Sequence, residues 1–186
     1  MPDTYIHIKP AIEVQFHKCM ERGRVLFFSA PCGFGKTVTA RKLIRQTGKT
    51  YRSLSGDRVS FEELRADEDW EILFVDDLQM MQEEDDEQAL CSLIRENPDR
   101  RFVLASRGLP PGCLMAFQYT GLMTVMNADR LLFDRADIRK LFREWKVPVT
   151  DSELVGIARE SIGHPLGVII TIRLMAEGRS FGTDLV

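Results

Sequence analysis

An α/β fold, a parallel sheet with helices on both faces, is predicted by three features of the sequence. Apolar runs short enough to be buried strands recur along residues 24–133, stretches with helical spacing lie between them, and the two kinds alternate in order. Ile12, Phe16, Cys19 and Met20 fall on one face of a helix that starts near Pro10 and stops at Gly23. Arg24 to Ser29 is an apolar run bounded by glycine and a Pro/Gly-rich loop, the pattern of a strand buried on both faces. Thr37 to Gln46 is a helix with basic residues in its last turns, and Lys49 to Leu54 a second strand. Phe61 to Arg65 is a short helix. Glu71 to Val75 is the strongest strand in the chain and runs into Asp76-Asp77.

The acidic run Glu83 to Glu87 fits the first turn of a helix ending near Asn97-Pro98, where negative charge suits the helix dipole. Arg101 to Ala105 is a further strand, Gly108 to Gly112 a loop, and Leu122 to Phe133 holds another strand or two. The pattern changes at Asp134. Ile138, Leu141, Phe142 and Trp145 form a helical stripe behind an Asp134 cap. Thr150 and Glu153 form a capping box for a helix ending at Gly163. Pro165 suits the first turn of a last helix, although Val168 to Ile172 is β-branched enough to be a strand on propensity alone. Residues 1–133 are thus expected to form one α/β domain and residues 134–186 a small helical subdomain.

Composition narrows the function classes. Of the 186 residues, 44% are hydrophobic and 28% charged, enough for a core without disulfide or metal staples. A net charge of −3 and a pI near 5.7 argue against general affinity for nucleic acid, so specific duplex-DNA binding by this segment is not expected. Cys19, Cys32, Cys91 and Cys113 show no metal or disulfide spacing, which implies free, buried thiols. With no apolar leader and no run long enough to span a bilayer, a cytoplasmic protein is expected.

The chemistry concentrates at Ala30-Pro31-Cys32-Gly33-Phe34-Gly35-Lys36-Thr37, which follows a strand and opens a helix. That is the setting of a phosphate-binding P-loop. Gly33 and Gly35 permit close backbone approach, so that successive N–H groups converge on a phosphate at the positive end of the helix. Residues Pro31 through Val38 are the candidate nucleotide cradle, with Lys36, expected in an exposed loop, bridging the β- and γ-phosphates and Thr37 ligating Mg²⁺. Ala30 stands where the pattern has its first glycine. Asp76 and Asp77 close an apolar strand and would lie in the crevice at the carboxyl ends of a parallel sheet. Asp76 is placed to hold Mg²⁺ through water, and Asp77 to orient or deprotonate an attacking water or to brace the loop. Arg107, at the end of the next strand, would sense the γ-phosphate or make a surface ion pair. His7 and His164 show no partner pattern and read as exposed or satisfied histidines.

Taken together, APCGFGKT, LFVDD, LASRGLPPG, LLFDRADIRKLF and ESIGHPLG resemble the ATPase module of MalT-type LuxR-family transcription regulators, within the STAND class of P-loop NTPases. The resemblance runs from about Ile8 to Gly178. It implies a five-stranded sheet in the order 5-1-4-3-2 followed by a helical domain, with ATP or ADP and Mg²⁺ between them. It also implies phosphate and Mg²⁺ contacts at Lys36 and Thr37, a Walker B pair at Asp76-Asp77, and a sensor arginine at Arg107. Gly163-His164-Pro165 matches the family's Gly-x-Pro motif, whose proline packs near the adenine. Family members rest with ADP and self-associate with ATP when an inducer binds elsewhere. The winged-helix domain, sensor repeats and helix-turn-helix of such regulators have no counterpart in these residues. A nucleotide-controlled switch with slow hydrolysis is the leading expectation. A motor or loader ATPase of the AAA+ kind, a small-molecule kinase, and a nucleotide-binding scaffold without turnover are the alternatives.

Overall fold

The computed structural model describes residues 6–58, 60–66, 69–81 and 84–182. Five strands, β1 (Val25–Ser29), β2 (Tyr51–Ser55), β3 (Ile72–Asp76), β4 (Arg101–Ser106) and β5 (Met123–Asn127), form one sheet in the order β2-β3-β4-β1-β5. Every pairing is parallel, which agrees with the order implied above. Period-two alternation splits the strands between two cores. Val25, Phe27, Leu73, Val75, Phe102 and Leu104 face one side, while Leu26, Phe28, Ile72, Phe74, Val103 and Ala105 face the other.

The helices α1 (Pro10–Arg22) and α2 (Lys36–Gln46) cover the second side through Ile12, Phe16, Leu43 and Ile44. On the first side, α3 (Phe61–Ala66), α4 (Glu84–Glu96) and α5 (Met115–Tyr119) pack through Leu64, Leu93, Ile94 and Phe117. The acidic residues Glu84 to Glu87 do open α4, while Glu83 lies outside the described residues. The segment Leu122–Phe133 contains a single strand, β5, followed by the helical turn α6 (Ala128–Leu131), whose Leu131 is buried in the second core. The short α5 was not visible in the sequence.

A third core belongs to α7 (Arg135–Glu144), α8 (Asp151–Ser161) and α9 (Pro165–Ala176). Both expected caps are present, at Asp134 with Asp137 and at Thr150 with Glu153. The β-branched segment 168–172 is helical because Val168 and Ile172, one turn apart, bury against Ile138 and Leu154, and packing overrides propensity. Among the described residues no helix is long and apolar enough to cross a membrane.

The N-terminal segment ties the third core to the sheet. His7 Nε2 lies 2.7 Å from Asp137 Oδ1, while Lys9 Nζ donates to the Leu132 carbonyl at 2.8 Å and stands 3.4 Å from Asp137 Oδ2. Burial alone would raise the Asp137 carboxyl, but the hydrogen bonds from His7 and the Asp134 amide and the Lys9 charge bring it below the ordinary carboxylate range. A depressed carboxyl contributes stability above its unfolded value near pH 4 and loses it as pH falls through the folded value. Asp137→Ala should therefore cost about 2 kcal/mol at pH 7 by stranding His7. Denaturant melts at pH 7 and pH 3 should show that difference shrinking in acid.

Candidate nucleotide site

The loop between β1 and α2 turns on two glycines with left-handed backbones, Gly33 (φ 84) and Gly35 (φ 75). At Gly33 the requirement is also one of space, since a Cβ there would come within 2.6 Å of the His164 ring. Gly35 is the N-cap of α2, whose first turn holds Lys36 and Thr37 and no acidic residue. The positive end of that helix is thus left for an anion.

A cavity of about 410 Å³ opens over this loop, a size that suits a small ligand. Of the residues singled out in the sequence, Cys32 through Val38, Asp76, Asp77, Arg107 and Pro165 all line it. Pro31 does not; its carbonyl instead accepts a hydrogen bond from Lys36 Nζ at 3.0 Å. That bond accounts for a correction: Lys36 is buried, with 8% of its surface exposed, because its side chain folds back across the loop. Burial lowers the Lys36 ammonium below its ordinary pKa, while the Asp76 and Asp77 carboxylates pull it the other way.

The cysteines also depart from expectation in part. Cys19 and Cys91 are buried, and burial pushes both thiols up to about 12, so neither is reactive. Cys32, however, stands exposed in the loop.

The strand bearing Asp76 is next but one to β1, because β4 lies between them. Arg107, which follows β4, is thereby brought beside the two carboxylates. Asp76 is the last residue of β3, and its Oδ1 accepts the Asp77 N–H at 3.0 Å. Asp77 leaves the sheet with a left-handed backbone (φ 48, ψ 47), so the chain bends there and both carboxylates reach the same cavity. Gly56, at the end of β2, makes room for this bend, since a Cβ on it would sit 2.5 Å from the Asp77 carbonyl. Arg107 Nε lies 3.5 Å from Asp77 Oδ1, with both side chains about half exposed. It therefore both lines the cavity and makes an ion pair.

Several lining residues had no readable signal. Ile6, His7 and Lys9 come from the N-terminal segment, and Leu131 and Phe133 from the end of the α/β part. His7 is satisfied at Nε2 by Asp137, as a buried histidine should be, but its Nδ1 finds no partner among the described residues. His164 caps α9, its Nδ1 accepting the Gly167 N–H at 3.4 Å, and meets Phe34 edge-on with centroids 4.7 Å apart. The Leu166 N–H donates to the Gly33 carbonyl at 3.1 Å, so α9 is joined to the phosphate loop through backbone. Gln79 was also missed. Its Nε2 donates to Asp77 Oδ1 at 2.7 Å, and its Oε1 accepts from the Arg107 N–H at 2.9 Å and the Ser106 hydroxyl at 3.2 Å.

The donor set fits Mg²⁺ held jointly with phosphate. Thr37 and the carboxylates of Asp76 and Asp77 line the cavity, and among the described residues no cluster of three or more His, Cys, Asp or Glu forms a protein-only cage.

No protein-family pattern matches the sequence, and no curated protein does. Solved structures do match. The Thermotoga maritima RuvB Holliday junction branch migration motor is similar over 91% of this chain and 61% of its own length, at 19% identity with a TM-score of 0.63. The present chain therefore spans about three fifths of that relative. A DNA replication initiation factor is similar over 90% of this chain and 59% of its own, at 13% identity and a TM-score of 0.59. A Walker-type ATPase of Pyrococcus abyssi is similar over 96% and 71%, at 12% identity and a TM-score of 0.65. Sheet order, loop geometry and these likenesses agree: the chain has the α/β fold of the P-loop NTPases.

Proposed function

We propose that this chain is an ATP-binding switch module with slow, Mg²⁺-dependent hydrolysis, of the kind found in signal-responsive transcription regulators of the MalT type. One observation carries the reading. The glycine loop, Lys36, Thr37, Asp76, Asp77 and Arg107, drawn from three strand ends and one helix start, line a single cavity of ligand size. Lys36 would leave the Pro31 carbonyl to meet the β- and γ-phosphates, a stronger charge-assisted acceptor. Thr37 and Asp76 would hold Mg²⁺, which when bound neutralises charge on the phosphate oxygens. Asp77 orients or deprotonates water, and Arg107 reads the γ-phosphate. Pro165 and Ile6 of the N-terminal segment also line the cavity and would pack near the adenine. The switch character rests on the bonds from α9 to the phosphate loop, through which residues 134–186 would respond as one helical subdomain to the nucleotide's phosphates. ATP-dependent self-association would follow in a longer chain.

A second reading, an AAA+-like motor or loader, is favoured by the likeness to RuvB. Calorimetry with ATP and ADP, with and without Mg²⁺, together with single-turnover hydrolysis, separates the two. Micromolar nucleotide binding with slow turnover indifferent to DNA is the expected result. Fast, DNA-stimulated turnover would favour the motor, and no nucleotide binding would defeat both.

A further inference from the structure

The end of β3 and the end of β4 are joined by one side-chain amide. Gln79 sits in the 3₁₀ turn Leu78–Met80 that follows the left-handed Asp77, and this turn is closed by the Met80 N–H on the Asp77 carbonyl at 2.8 Å. Its amide orientation is dictated by its partners. The Arg107 backbone N–H can only donate, so Oε1 faces it, and Nε2 must then face the Asp77 carboxylate, which can only accept. Glutamate has the same shape but would set an acceptor against an acceptor at Asp77, and asparagine is one methylene too short to span the gap.

Ser106 extends the connection toward the phosphate loop. Its hydroxyl donates to Gln79 and accepts the Gly108 N–H at 3.2 Å, while the Ser29 hydroxyl donates to the Gly108 carbonyl at 2.9 Å and the Ala30 N–H to the Ser106 carbonyl at 3.2 Å. A continuous set of hydrogen bonds therefore runs from the base of the P-loop, past the backbone of Arg107, to Asp77. At Asp77 both Gln79 and Arg107 contact Oδ1.

An exposed glutamine merely satisfying its amide is the plain alternative, but such a group has no need to bond three partners on two strand ends. We propose that Gln79 is a positioning residue of the nucleotide site, holding the Asp77 carboxylate by one oxygen and the backbone of Arg107 in a single register. This rests on the reading of Asp77 and Arg107 given above. Gln79 itself does not line the cavity; it sets where Asp77 and Arg107, which do, stand.

The test uses Gln79→Met, which keeps length and loses both polar ends, and Gln79→Glu, which keeps shape and loses the donor. Calorimetry with Mg·ADP and with a non-hydrolysable ATP analogue is run on each, with thermal melts to confirm folding. Because ADP lacks the group Arg107 reads, ADP affinity should stay within about twofold, while analogue affinity falls about tenfold, the worth of one well-placed hydrogen bond. Gln79→Glu should be at least as impaired as Gln79→Met, since it puts a second carboxylate against Asp77; a glutamine with no role beyond solvation would accept glutamate freely. In an Arg107→Ala background, Gln79→Met should cause no further loss of analogue affinity. Parent-like ratios of analogue to ADP affinity in both Gln79 variants would overturn the positioning role and leave nucleotide binding intact. A parent chain that binds neither nucleotide would instead remove the proposal together with the reading beneath it.

Discussion

Lys36→Ala is expected to lower affinity for ATP and ADP by at least about 100-fold while the fold survives, because charge-assisted hydrogen bonds to phosphate are worth about 1.5–3 kcal/mol each. The Lys36 side chain is largely buried, that burial lowers the pKa of the ammonium, and the ammonium donates to the Pro31 carbonyl. Phosphate offers it a charged acceptor in the same place. That exchange is favourable because a hydrogen bond to a charged acceptor is stronger than one to a neutral carbonyl. The substitution removes the Pro31 bond as well, so a stability loss of about 1 kcal/mol should accompany it. The helix itself remains anchored by Ala40, Leu43 and Ile44 in the second core. Lys36→Met, which keeps most of the apolar stem, should restore stability without restoring binding. Calorimetry and thermal melts on both variants check this, and parent-like ATP affinity in either would sink the assignment of the loop.

What could be read in the sequence was what depends on neighbours in the chain. The phosphate loop is a local object: a buried strand, two glycines with left-handed backbones, and a helix opened by Lys36 and Thr37, all within residues 25–46. The aspartates closing β3 are legible for the same reason. Arg107 could be placed at the crevice because it stands at the end of a parallel strand, but that β4 inserts between β1 and β3 is not revealed by hydrophobic pattern and was implied only by the family resemblance. The His7–Asp137 pair joins residues 130 positions apart, and a lone histidine in sequence gives no hint of it. Gln79 was hidden because its reach depends on the bend at Asp77, and that bend depends on the space beside Gly56. Lys36 was expected in the open because loops usually are exposed, and the fold-back onto Pro31 reversed that.

Asp77→Asn should keep ATP and Mg²⁺ binding yet slow hydrolysis about 10²-fold, the usual cost of losing a general base. The left-handed backbone at Asp77 makes this a clean substitution, because asparagine tolerates that conformation far better than alanine, which would add about 1–2 kcal/mol of strain. The side-chain oxygen of asparagine can also still accept from Gln79, so that bond survives while the basicity and the charge facing Arg107 are lost. Asp76→Asn should behave differently. Asp76 ends β3 in regular strand geometry and is the proposed Mg²⁺ carboxylate, so its loss should weaken Mg²⁺-dependent binding rather than the chemical step alone. Mg²⁺ titrations of nucleotide affinity and single-turnover rates on both variants make the comparison. Hydrolysis at the parent rate in Asp77→Asn would reduce Asp77 to a brace for Arg107 and Gln79. A parent chain that binds ATP but never cleaves it above background would mean that the arrangement holds nucleotide without turning it over, and the scaffold reading would replace the switch.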